Sequence, residues 1–221
     1  MARVLRTLLR VSVRPGHSLA WCPEPVMHGK VLRFLATLRL PIWLVVLAGL
    51  GLRRLTEAPS PIESRGIHTI LDPALADALS TWLLLMIPVG LPLLYFFGGL
   101  LAHIAIALTG GAPRSIGATM RATGYTLGPA LLVIGLLDIP LYLNSVPAAQ
   151  YFLGLQVVTL FAWISISLGL ARTHRISVVR GFLVAILPAL MLASVTALRA
   201  LPEVTGPVPG LPQPSSPYYV P

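Results

Sequence analysis

Two long stretches of this chain carry no charge at all. No Asp, Glu, Lys or Arg occurs between Asp77 and Arg114, and none between Asp138 and Arg172. A helix needs about 20 predominantly apolar residues to cross the hydrocarbon core of a bilayer, and each stretch has room for one. The whole 221-residue chain is 56% hydrophobic and 10% charged, where soluble domains carry roughly a quarter charged residues. The expected class is all-α: a polytopic membrane protein built as a bundle of five transmembrane helices.

The five spans differ in how plainly they read. The first, "FLATLRLPIWLVVLAGLGL" (34–52), is charge-free only from Leu40 to Leu52, which is short for a crossing. It either crosses with Arg39 and Arg53 snorkelling at its ends or lies on the membrane surface. Residues 53–78 are polar and turn-rich, and "DPALADAL" within them reads as a short helix capped by Asp72. The second span, about 79–109, is interrupted by Pro88, Gly90 and Pro92, which remove backbone bonds and invite a kink. The third, about 122–143, contains Pro129 and Pro140. The fourth covers about 150–171, and the fifth about 178–200 with Pro188 near its middle. This divides the chain into a basic N-terminal segment without regular structure (1–30), a five-helix membrane domain (31–200) and a Pro-rich disordered tail (201–221).

Basic residues accumulate in cytoplasmic loops of membrane proteins. With five spans, most Lys and Arg residues fall on the side of the N-terminus, leaving only Arg53, Arg54, Arg65 and Arg199 on the other. The N-terminus is therefore expected in the cytoplasm and the C-terminus outside, in a plasma (inner) membrane. A first span that failed to cross would break up this asymmetry, which favours five. The net charge of +9 is explained by this rule without nucleic acid. Arginines at 3, 6, 10 and 14 interrupt any secretory core. Met27 precedes an ordinary basic run-in, so it competes with Met1 as the start. A chain lacking 1–26 should still insert, because Lys30, Arg33 and Arg39 hold its N-terminus inside.

The polar patch "LTGGAPRSIGATMRATGYTLGP" (108–129) stands out between the second and third spans. Gly110 and Gly111 could suggest a phosphate-binding P-loop, but no Lys-Ser/Thr follows. Arg114 and Arg121 are spaced so that a helix would put them on one face, reaching anionic headgroups at about 1 kcal/mol each. Tyr125 is expected at the interface and Pro129 at a kink. Gly-Gly followed by Arg121, Tyr125 and Pro129 resembles the Ypt-interacting protein (Yip) domain family of multi-pass membrane proteins. The resemblance continues through Trp163 into "LGLARTHRISVVRGFLVAILP", with His174, Ser177 and Arg180, and covers about residues 80–195. It implies the five-span layout. The Asp-Leu-Tyr-Gly-Pro stretch of eukaryotic members is absent, so the match is to a bacterial-type member rather than to those that serve Rab-type GTPases. "RATGYTLGPAL" and "RGFLVAILPAL" share Arg-x7-Pro-Ala-Leu, read either as a duplicated helix hairpin or as two helix entries that each need a basic residue.

Few residues offer chemistry. Asp138 is the only acidic residue deep in an apolar run, and intramembrane ionisable groups are costly and often functional; it also lies close enough to Leu143 and Asn144 to reach water. His103, inside the second span, reads as packed and bonded to a carbonyl, or as a proton relay. His174 reads as interfacial. Ser165 and Ser167 bond neighbouring helices or their own backbone. Trp43, Trp82, Tyr142 and Tyr151 suit an aromatic belt, and Trp163 the core. The histidines lack metal-ligand spacing, and the arrangements of membrane proteases, metalloproteases and serine hydrolases are missing. No catalytic residue, cofactor or metal is expected. The expected role is non-enzymatic: organising anionic lipids, a membrane-protein partner or further copies of itself through basic cytoplasmic loops. The alternative is a small transporter or channel using the Pro-broken second span with His103 and Asp138.

Overall fold

The computed structural model describes residues 2–15, 27–56, 82, 84–142 and 148–204, all of them in helices or the turns between them. In chain order the helices are α1 (Ala2–Val13), α2 (His28–Thr56), α3 (Ile87–Leu108), α4 (Ile116–Tyr142), α5 (Ala148–His174), α6 (Val178–Val184) and α7 (Ile186–Val204). Five segments are long and apolar enough to cross a membrane: His28–Gly49, Ile87–Leu108, Ile116–Leu141, Gln150–His174 and Val178–Ala197. The protein is thus an all-helical, multi-span membrane protein. The short helix expected at 72–79 and the tail beyond 204 lie outside the described residues.

Some spans start earlier than the apolar text alone suggested. The first begins at His28, which makes it long enough without any snorkelling at Arg39. The third begins at Ile116 rather than about 122, so the residues just after Arg114 form the first turn of α4. The fifth is interrupted at Ala185, between α6 and α7. Pro188 explains the break: its ring clashes with the carbonyl four residues earlier, that of Val184.

The centre of the bundle is α4. It packs on α2, α3 and α5, while α7 closes the far side against α5 and α3. The share buried is 61% for the α4 span and 33–44% for the others. Close approach to α4 depends on glycine. A Cβ at Gly124 would stand 2.7 Å from the Tyr95 ring, one at Gly128 would run into the Phe34 ring, and one at Gly99 on α3 would stand 2.7 Å from the Cα of Met120. Small residues at helix contacts replace the hydrophobic drive that lipid surroundings remove. The outward faces carry exposed Phe97, Leu153, Val157 and Leu160, a surface suited to acyl chains.

Residues 2–13, expected without regular structure, form an amphipathic helix instead. Val4, Leu8 and Val11 recur at helical spacing and turn toward the bundle, where Val11 is buried and α1 rests on α4. Leu5 and Leu9 stay exposed beside Arg6 and Arg10, the division of faces found in helices that lie in a membrane interface.

Candidate functional site: a cavity between two basic turns

The turn 109–115 and the turn 175–177 meet at one end of the bundle. Two glycines shape the first: Gly110 has φ +129° and Gly111 φ +86°, a region that costs glycine nothing. The second closes α5 with Arg175 at φ +54° and a bond from the Ile176 amide to the Ala171 carbonyl. That is the six-to-one closure of a helix C-terminus, where glycine is the usual residue in the left-handed position.

Arg180 ties the two turns together. Its Nε donates to Thr109 Oγ1 at 3.0 Å, and its Nη2 to the Ile106 carbonyl at 2.6 Å and the Gly111 carbonyl at 2.7 Å. The Ile106 carbonyl belongs to the last turn of α3, where backbone acceptors have no partner within the helix and a cation suits the helix dipole. Ser177 caps α6 by accepting from the Arg180 amide at 3.3 Å. Between the turns lies a cavity of about 720 Å³ lined by the glycine pair, Arg114, His174, Arg175 and Arg180. Of the residues singled out from the sequence, Gly110, Gly111, Arg114, His174 and Arg180 converge here, and Ser177 sits beside them.

His174 ends α5, at the end of the fourth span, rather than lying in a loop. It is 1% exposed, and its Nε2 lies 2.8 Å from Thr119 Oγ1, which in turn lies 2.9 Å from Nδ1 of His103. The two imidazole centroids are 6.3 Å apart. His103 is therefore bonded to a hydroxyl, not to a carbonyl. The Thr119 hydroxyl has one proton and two lone pairs, and it also lies 3.4 Å from the Ser115 carbonyl, so it donates to at most one of the two imidazoles. The Nδ1 of His174 is buried with no hydrogen-bond partner among the described residues.

The remaining candidates lie elsewhere. Arg121 is 7% exposed, inside α4 rather than at the surface, while Arg114 precedes that helix; the two do not share a helical face. Tyr125 packs on Phe34 with centroids 5.2 Å apart. It lies within the segment Ile116–Leu141, with its ring against the first span. Pro129 is buried within α4, which continues through it.

Asp138 does not reach water. It is 1% exposed and bonded to Nη2 of Arg39, which is itself 2% exposed, midway along the first span. Tyr151 donates to its other oxygen at 3.0 Å, so this ring turns inward instead of joining an aromatic belt. Gly135 makes room: a Cβ there would stand 2.8 Å from Arg39 Nη1. Arg39 was expected to snorkel, and the pairing with a carboxylate far along the chain explains why it does not. Trp163, expected in the core, is half-buried and donates to the Phe182 carbonyl, and Ser167 bonds its own helix at the Trp163 carbonyl.

The described residues contain no cluster of three metal-ligating side chains. Compared with known proteins, the chain matches no family model, no curated sequence and no solved structure.

Proposed function

We propose that the chain is a non-enzymatic integral membrane protein of the Yip-domain type, resident in a bacterial inner membrane with its N-terminus inside and C-terminus outside. Its working surface is the basic end of the bundle, where it organises anionic lipids, a membrane-protein partner or a second copy of the chain. The observation that carries this reading is the convergence on one cavity of Gly110, Gly111 and Arg114 with His174 and Arg180, from two segments far apart in sequence. Arginine retains its charge and suits anionic headgroups.

Transport through the interior is less well supported. That reading needs His103 and Asp138 on one path. His103 bonds Thr119 near the start of α4, whereas Asp138 lies near the end of the same helix, so the two sites stand toward opposite ends of the bundle. The carboxylate is already committed to Arg39 and Tyr151, and neither His103 nor Asp138 lines the cavity between the turns.

The test is extraction of the chain from its native membrane in lipid discs, followed by identification of co-extracted lipids and proteins. Anionic lipids or a discrete protein should be enriched over the bulk membrane, and the enrichment should fall in Arg114→Gln/Arg175→Gln. A lipid and protein content matching the bulk membrane would overturn the reading.

A further inference from the structure

We infer that the cavity between the 109–115 and 175–177 turns is a binding site for a phosphate group, offered at a bilayer by a phospholipid headgroup and in solution by free phosphate. The inference deepens the proposed reading and rests on it only in placing this end of the bundle at a membrane surface.

Charge is the first argument. Arg114, Arg175 and Arg180 line a single cavity, and among the described residues none of them forms an ion pair. Asp138 is the one acidic residue whose side chain is described, and it is paired with Arg39. Three guanidinium groups lining one cavity repel one another, and no carboxylate among the described residues offsets them. A phosphate removes that repulsion and matches the forked geometry of arginine.

The construction of the turns is the second. Arg180 is spent on Ile106, Thr109 and Gly111, so it acts as a fixed wall. Arg114 and Arg175 remain as the ligating cations. Arg175 occupies a left-handed position that glycine would adopt without strain; what the arginine gains there is a charge on the cavity. Gly111, with nothing within 4 Å of where its Cβ would stand, leaves the other wall bare. Ligand cavities span about 300–1,000 Å³, so about 720 Å³ has room for a phosphate with its glycerol.

Also lining the cavity is the buried His174, whose Nδ1 finds no partner among the described residues. A phosphate oxygen supplies the missing acceptor and fixes the proton order. His103 Nδ1–H then donates to Thr119, the Thr119 hydroxyl donates to His174 Nε2, and His174 Nδ1–H donates to the phosphate.

The experiment uses the purified full chain in a neutral detergent. Its probes are dioctanoyl phosphatidic acid, dioctanoylglycerol, which lacks only the phosphate, and inorganic phosphate. Phosphatidic acid should bind at least about tenfold more tightly than dioctanoylglycerol, and Arg175→Gly and Arg114→Gln should each weaken it about tenfold. Arg175→Gly relieves the backbone, so its melting temperature should not fall and the lost binding is not lost folding. Displacement of the lipid by inorganic phosphate identifies the phosphate group alone as sufficient; failure to displace it identifies the headgroup in its lipid. Equal binding of both lipids, or binding unchanged in both variants, overturns the site. If anionic lipid is nevertheless enriched from native membranes, the basic-surface reading survives and only this pocket fails.

Discussion

Arg39 and Asp138 form an ion pair in the interior of the bundle, joining the first and third spans with both side chains almost fully buried. Tyr151 adds a bond from the fourth span, so three spans meet at one carboxylate. A buried pair contributes little by itself because both charges lose their water, yet removing one partner strands the other at a cost of about 3–5 kcal/mol. Arg39→Met and Asp138→Leu should each lower the detergent melting temperature and the yield of folded protein sharply. The double variant should recover most of the loss. Two singles that match wild type would show that the pair does not hold the spans together.

A second expectation separates two glycines by what surrounds them. Alanine for glycine inside a helix normally gains about 0.5–1 kcal/mol, whereas overfilling a tight contact costs about 1–3 kcal/mol. At Gly90 nothing lies within 4 Å of the new Cβ, but at Gly99 it would meet the Met120 backbone at 2.7 Å. Backbone cannot rotate away as a side chain can, so packing outweighs propensity at Gly99. Thermal melting should rank Gly90→Ala at or above wild type and Gly99→Ala below it; the reverse order would contradict the close α3–α4 contact.

These two contacts also show where the sequence was readable. The spans were legible because crossing a bilayer depends on composition over about 20 residues, which a charge-free run displays directly. The ion pair was not, since snorkelling is the default for an arginine beside an apolar core, and nothing local links Arg39 to a carboxylate two spans on. The charge-free run begins only at Leu40, which places Arg39 at its edge, whereas the start of the span at His28 places Arg39 in the middle. His103 and His174 looked isolated because each reaches the other only through Thr119, on a third helix. Gly124 and Gly128, one turn apart on a single helical face, carry in the sequence itself the small-residue signal of a close helix contact.

The docked helix α1 revises what truncation should do. Lys30 and Arg33 remain at the head of the first span, so a chain lacking 1–26 should still insert. Arg39, being paired inside, is not part of that orienting set. Loss of α1 should nonetheless uncover the face of α4 that it covers, and Val11→Asp should act likewise, because burying an apolar side chain of this size is worth about 1.5–3 kcal/mol. Membrane fractionation should show full insertion for both, with melting temperatures below wild type. Unchanged melting would mean that α1 does not contribute to stability.

Arg114 and Arg121 provide the final test, because sequence spacing gives them one role and their surroundings give them two. If both served the surface, replacing each with Gln would cost about 1 kcal/mol of membrane association and leave the fold intact. Arg121, however, is 7% exposed within the central helix, beside buried Ala122 and Thr123, whereas Arg114 is half-buried in the turn at the cavity. Hydrogen bonds made by a buried charged group contribute about 1.5–3 kcal/mol. Arg121→Gln should therefore lower the melting temperature while leaving surface association per folded molecule unchanged. Arg114→Gln should do the opposite, keeping the melting temperature and weakening retention of anionic lipid. Measuring melting and lipid retention on the same two preparations resolves the assignment: if the two variants behave alike in both measurements, the division of labour between these arginines is wrong.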